Sequence, residues 1–571
     1  MNPTLTRFPV KNVFGHRLAA TAALVALFTL AAQRAWTADS THGMVASVNP
    51  LATAAGLNTL KSGGNAIDAA VAVGLTLGVV DTHNSGIGGG CFMLIHLANG
   101  TNVCLDGREM APAAATRDMF VRHGVGDTTL SQTGPLASGV PGEVAAFDYA
   151  VRHYGQKTLA SLLRPAADLA ESGFTIAPEY AARLQSVAAD LSAFPAASAI
   201  FLTNGAALPA GTRLRQPDLA ATYRHLAAAG ADWFYHGPFA RSVATWMQAH
   251  GGIMTAQDFA RYRLELRAPI HTTYRGYDVM AFPPPSSGGV HVLEILNILE
   301  PFDLKTLDET TRLHVLAEAM KLAFADRAYW LGDPAYANVP RGLIAKEYGA
   351  RLAAKINLAH TTTVPTHGLP PDWQTDLFKK HTTHFSTADA AGNWVACTAT
   401  INTSFGSKVV IPGTGVVLNN QMDDFSIQPG VPNHFALIGA EANAVGPGKR
   451  PLSSMSPTII FKDGAPVVAL GAAGGPKIIS AVLQEIVDLI DLHMTPQQAL
   501  AAPRIHMQWS PDELMIEQKL PADVQAGLVQ RGHHLNELKA FAVSQIVARS
   551  PDGQGFIGAA DPRADGTAAG W

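Results

Sequence analysis

Cysteine is scarce, with three in 571 residues, at Cys91, Cys104 and Cys397. Their spacing excludes a paired-cysteine zinc cluster and a disulfide-stapled scaffold, and leaves one disulfide between two of them open. Charge is low as well. Charged residues make up 15% of the chain, the net charge is −4 and no basic run exceeds three residues. A continuous positive surface for nucleic acid is therefore absent. The chain also lacks a G-x-x-x-x-G-K-[ST] phosphate loop, a G-x-S-x-G elbow and an EF-hand, which removes the commonest NTPase, α/β-hydrolase and calcium readings. Gly86-Ile87-Gly88-Gly89-Gly90 invites a nucleotide reading, but Cys91 holds the position where G-x-G-x-x-G needs its last glycine. The loop also follows a helical pattern and precedes a strand, the reverse of a dinucleotide site.

Hydrophobic residues make up 47% of the chain, with 52 glycines and 36 prolines spread without a period. That composition describes a globular protein long enough for two or more domains. Arg7, Lys11 and Arg17 precede an uncharged, largely apolar run from Leu18 to Ala32, followed by small residues up to Ala38. Fifteen residues fall short of the ~20 that cross a bilayer, so the segment reads as a cleaved secretory signal within residues 1–38, and the mature protein as exported, periplasmic or secreted. The cut falls after Ala31 or near Ala38.

Helical periodicity predicts helices at Pro50 to Lys61, Ala66 to Val80 (capped by Asn65), Gly142 to His153, Leu159 to Ser172, Pro217 to Ala228, Phe239 to Ala249, Val290 to Leu299 and Thr310 to Tyr329. Strands are expected at His42 to Val48, at a hairpin of Phe92 to Leu97 and Val103 to Leu105 turning at Asn99-Gly100, and at Tyr277 to Phe282. A proline-bearing stretch, 361–380, leads to His381-Thr382-Thr383-His384-Phe385-Ser386, after which strands dominate: Thr383 to Thr387, Trp394 to Asn402, Gly415 to Leu418 and Val467 to Leu470. A helix from Pro476 to Leu492 follows Gly474-Gly475. Backbone N–H groups at such a helix start suit a developing oxyanion.

Taken together, Thr382-Thr383-His384-Phe385-Ser386, Arg108-Glu109-Met110-Ala111-Pro112, Asn419 to Ser426, Pro451-Leu452-Ser453-Ser454-Met455 and Gly471 to Gly475 resemble the γ-glutamyltransferases (glutathione hydrolases). The similarity runs from about His42 to Trp571, in the family's motif order. One departure is Thr387, where a small aliphatic residue is usual; another is Phe435, in a lid segment whose aromatic is typically tyrosine. The resemblance implies an α+β fold, the four-layer αββα sandwich of N-terminal-nucleophile hydrolases, formed jointly by a large subunit (39–381) and a small subunit (382–571). Self-cleavage at His381–Thr382 would make Thr382 an N-terminal nucleophile with its own α-amine as base. By the same resemblance Thr400 orients it, and Gly474 and Gly475 form the oxyanion site. Arg108, Ser453 and Ser454 take the substrate α-carboxylate, while Asn402, Gln421 and Asp424 take its ammonium.

The implied donors are γ-glutamyl compounds such as glutathione; the acceptors are water, amino acids or dipeptides. No cofactor or metal is implied, since His381 and His384 lack further ligands in a zinc pattern. With phenylalanine at 435 a hydroxyl latch is lost, so a looser lid and appreciable hydrolysis are expected. Two rivals stand beside this reading: a glutaryl (cephalosporin) acylase of the same fold, and an exported binding protein that keeps the scaffold without catalysis.

Overall fold

In the strand Gly90–His96, Cys91, Met93 and Ile95 face one core and Phe92 and Leu94 another. A strand apolar on both faces has to be covered on both. The same alternation recurs in Trp394–Thr400, where Val395, Cys397 and Ala399 oppose Trp394 and Ala396. The computed structural model, which describes residues 37–371 and 384–571, meets this demand with two seven-stranded antiparallel sheets packed face to face between helical layers.

The first sheet runs Glu265–Arg267, Asn102–Gly107, Gly90–His96, Trp394–Thr400, His384–Asp389, Gly43–Ser47, Thr567–Gly570. The second runs Thr37–Ser40, Phe556–Ala560, Val543–Arg549, Ala465–Ala473, Thr458–Lys462, Tyr277–Ala281, Ile270–Tyr274. Between them lie Met44, Phe92, Phe282, Trp394, Phe461 and Phe556, with Phe92 stacked on Phe282 at 4.0 Å. Outside the first sheet pack the helices Pro50–Lys61, Ala66–Val80, Glu143–Tyr154 and Leu159–Ser172; outside the second pack Ser287–Leu299, Glu309–Trp330 and Lys477–Ile490. This is the αββα sandwich.

All fifteen residues of Ala66–Val80 are buried, and each buried Val, Leu or Ile contributes about 1.5–3 kcal/mol. Its start is fixed by an Asn65/Asp68 capping box and by Asp389, whose Oδ2 accepts the Ala66 N–H at 2.8 Å. Thr387, the departure noted in the sequence, donates its hydroxyl to the Ala66 carbonyl at 2.7 Å. A polar group at that buried position is therefore satisfied.

The expected helices appear within a residue or so of their sequence bounds, except that Ser287–Leu299 starts three residues early and Lys477–Ile490 is trimmed at both ends. The expected strand Gly415 to Leu418 does not form. Gly415 has φ +64, one Val410–Val417 bridge remains, and the chain there bonds instead to Val409 and to the Gly88 loop. Conversely, Ile270–Tyr274 was not expected. Its alternating burial and the Arg275-Gly276 turn, both at positive φ, are the hairpin signals a helix-dominated reading passes over. Cys91, Cys104 and Cys397 are buried free thiols. Among the described residues no helix is long and apolar enough to cross a membrane.

Candidate active site

The strand Trp394–Thr400 ends in a loop whose shape is held by side chains. Thr400 Oγ1 accepts the Asn402 N–H at 2.7 Å; Asn402 sits at φ +78 and donates through Nδ2 to the Asn420 carbonyl at 3.0 Å. Asn420 in turn accepts the Thr403 N–H at 3.1 Å. The Gly-rich loop packs against this backbone. A Cβ on Gly89 would lie 1.9 Å from the Thr400 carbonyl, and one on Gly88 2.0 Å from that of Val417. The glycines are there for close approach, in accord with rejecting a nucleotide loop.

Arg108 follows the strand Asn102–Gly107 and is fully buried; its backbone is pinned by Asp106 Oδ1 at 3.0 Å and by the Tyr262 hydroxyl at 2.8 Å. Asp106 itself pairs with Arg267 at 2.9 Å and with Arg450 at 2.5 Å. The Arg108 guanidinium meets Asp424 at 2.7 Å and Glu109 at 3.2 Å. Asp424 closes the 3-10 turn Gln421–Asp424, and the Gln421 amide points both its oxygen and its nitrogen into buried space without a hydrogen-bond partner among the described residues. Such a group costs about 1–3 kcal/mol unless something binds it.

The adjacent carboxylates diverge. Asp423 turns away to accept the Ser131 hydroxyl at 2.6 Å and the His434 N–H at 2.9 Å, so it anchors the segment that carries His434; burial raises its pKa to about 6. Ser453 and Ser454 sit in a segment laced to 283–289. The Ser453 carbonyl accepts the Ser287 N–H at 2.7 Å, and Ser453 N donates to Pro285 at 3.1 Å.

Arg327, which the sequence reading missed, donates to Ser287 Oγ at 3.0 Å and Ser454 Oγ at 3.3 Å. Burial lowers its pKa to about 10, against the pull of Asp424. Two buried guanidiniums beside Asp424 and an open amide match the ends of an α-amino acid, a carboxylate and an ammonium. No motif singles out Arg327. It lies on a helix where Glu318, Lys321 and Asp326 are also buried, so its charge reads as an exposed face.

Gly474 and Gly475, at φ +142 and +61, turn the strand Ala465–Ala473 into the helix Lys477–Ile490, and neither N–H has a partner among the described residues. A Cβ on Gly475 would lie 2.6 Å from the Phe435 ring. The segment bearing Phe435 is tied down without a tyrosine hydroxyl: Asn433 Oδ1 accepts the N–H groups of Phe435 and Leu437 at 3.0 and 3.1 Å, and Gln508 donates to Ala436 at 3.2 Å.

A cavity of about 460 Å³ is lined by Thr400, Asn402, Gly474, Gly475, His434 and Phe435. Arg108, Gln421, Asp424, Ser453 and Ser454 are buried and not on its wall. Asp81, at the end of Ala66–Val80, also lines the cavity, and burial raises its pKa to about 8 beside a His83 held near 3.

His381 and Thr382 lie outside the described residues. The strand resumes at His384, packed against Gly471 and bonded to Thr398 Oγ1 at 3.2 Å and Ser386 Oγ at 2.8 Å. Burial lowers its pKa to about 3, so it is a neutral packing residue.

The γ-glutamyltranspeptidase family model matches residues 52–571. The chain is 44% identical over 527 residues to a glutathione hydrolase proenzyme of Escherichia coli (strain K12), covering 91% of this chain and 90% of that protein. It is also 40% identical over 541 residues to the acylase ACY 1 proenzyme of Pseudomonas sp. (strain SE83), covering 93% and 94%. Among solved structures it resembles a cephalosporin acylase from Bacillus halodurans, with TM-score 0.85, 30% identity and coverage of 100% and 99%. With this fold and these relatives, the chain is an enzyme of the γ-glutamyltranspeptidase family.

Proposed function

We propose that the protein is exported, cuts itself between His381 and Thr382, and then cleaves γ-glutamyl amides such as glutathione through an ester on Thr382. In maturation the Thr382 hydroxyl attacks the His381 carbonyl, an N→O acyl shift gives an ester, and water releases the segment ending at His381 from residues 382–571. In turnover the freed α-amine takes the hydroxyl proton as Oγ attacks the γ-glutamyl carbonyl. The N–H groups of Gly474 and Gly475 receive the oxyanion, and the amine returns the proton to the departing amine. Water, an amino acid or a dipeptide then takes the acyl group. Thr400 supports the nucleophile's position through the loop it braces.

The observation that carries this reading is the buried Arg108–Asp424 pair at 2.7 Å beside a Gln421 amide with no hydrogen-bond partner among the described residues. A γ-glutamyl end exchanges with that pair, carboxylate to Arg108, Ser453 and Ser454, ammonium to Asp424, Gln421 and Asn402. A glutaryl amidase is the second reading, and it rests on the acylase relatives. A glutaryl donor has no ammonium and would leave Asp424 uncompensated in a desolvated site. The test compares γ-glutamyl and glutaryl anilides, with and without a dipeptide acceptor. The γ-glutamyl donor is expected to be preferred by on the order of 10⁴ in kcat/KM; comparable values would overturn the choice.

A further inference from the structure

Away from the pocket, a second cluster of buried ionisable side chains lies where the helix Glu309–Trp330 meets the turn after the helix Ala522–Gln530. His314 and Glu318, four residues apart, share one helix face, and His533 reaches them from the later part of the chain. Ligand atoms of the three lie within 4.8 Å of one another, and all three residues are buried. His314 Nε2 stands 2.7 Å from the Asn357 carbonyl and so carries that ring's proton, which leaves the Nδ1 lone pair aimed at His533 Nε2, also 2.7 Å away. Both rings are held neutral by burial. Glu318 Oε2 accepts the Thr362 N–H at 2.7 Å, whereas Oε1 has no hydrogen-bond partner among the described residues. Lys321 stands 3.5 Å from that oxygen but closer, at 2.8 Å, to Asp512.

We propose that His314, Glu318 and His533 bind one divalent transition-metal ion of the zinc class. Two imidazoles and a carboxylate are a donor set that selects such ions over calcium or magnesium. The Asn357 carbonyl on the far nitrogen of His314 fixes that ring's tautomer, as metal-bound histidines require. Donors about 2.0–2.2 Å from a tetrahedral ion stand roughly 3.3 Å apart, so binding moves the two rings apart from 2.7 Å. The ring proton of His533 shifts from Nε2 to Nδ1 and none is released. Water takes the fourth position. The site needs no chain cleavage. In a cleaved enzyme it would tie the large piece, through His314 and Glu318, to the small one through His533.

The test uses the purified full protein, stripped with EDTA, dialysed and titrated with Co²⁺ and then Zn²⁺. A stoichiometric visible d–d absorption of tetrahedral Co²⁺, bleached by Zn²⁺, is expected, with a rise in Tm on adding Zn²⁺. Both responses should be lost in His533→Gln and weakened in Glu318→Gln. Absence of the band in the wild type, or the same band and Tm shift in both variants, would overturn the proposal. The wild-type titration decides even if a variant fails to fold.

Discussion

At the scale of single residues, Asp424 should set selectivity and Arg108 affinity. Asp424→Asn removes the nearer of the two carboxylates paired with a fully buried guanidinium, and truncating one member of such a pair costs about 2–5 kcal/mol. For a γ-glutamyl anilide kcat/KM should fall by about 10³-fold, while turnover of a glutaryl anilide should fall far less. Arg108→Lys, which keeps the charge but loses the fork, should weaken both donors; steady-state kinetics on the two anilides separates the effects. Asp81 gives a pH prediction. Its pKa is raised from 3.8 to about 8 by burial, so the folded protein holds a proton there that the unfolded chain has released above about pH 4. That stabilisation is complete below pH 4 and is lost as pH rises towards 8, at up to about 1.4 kcal/mol per pH unit. Asp81→Asn keeps the neutral shape and cannot ionise. Its Tm should decline less between pH 6 and 8 than that of the wild type, and parallel Tm profiles would show that Asp81 ionises freely in the fold.

Among elements, the strand–Gly-Gly–helix turn is the most constrained. Gly475→Ala places a methyl at φ +61 and 2.6 Å from Phe435, so both the backbone and the lid have to move. Losing one aligned oxyanion donor costs about 10²–10³ in kcat, and that is the drop expected in an anilide assay with KM little changed. A second element bears on export. The strand Thr37–Ser40 pairs with Phe556–Ala560, Thr37 opposite Ala559 and Ala38 opposite Gly558. A cut near Ala38 would remove half of that ladder, so N-terminal sequencing of the mature protein should begin at or before Thr37. Helices with strong patterns, such as Ala66–Val80 and Leu159–Ser172, were legible to the residue because their caps and glycines are local signals. Arg108, Gln421 and Asp424 were legible as motif members. What could not be read was set by distant partners: Arg327 reaching Ser454, Asp423 reaching His434, and 415–418 giving up a strand where Leu418 bonds Val409 and Asn419 bonds Gly88.

For the molecule as a whole, the cut proposed between His381 and Thr382 would fall just ahead of a strand inside the first sheet, not between two domains. The strand His384–Asp389 is bonded on one side to Gly43–Ser47 and on the other to Trp394–Thr400, which in turn pairs with Gly90–His96. Thr382→Ala should therefore fold normally, with a wild-type circular dichroism spectrum, yet remain one chain on a denaturing gel and be inactive; an active, uncut variant would exclude Thr382 as nucleophile. The far end of the chain is woven in the same way, since Thr567–Gly570 closes the edge of the first sheet beside Gly43–Ser47. Both sheets thus contain strands from before and after residue 381. Cut as proposed, one polymer would become two knitted by strand pairing in both sheets, so their dissociation equilibrium should lie far to the joined side and specific activity should stay constant on dilution across the assay range.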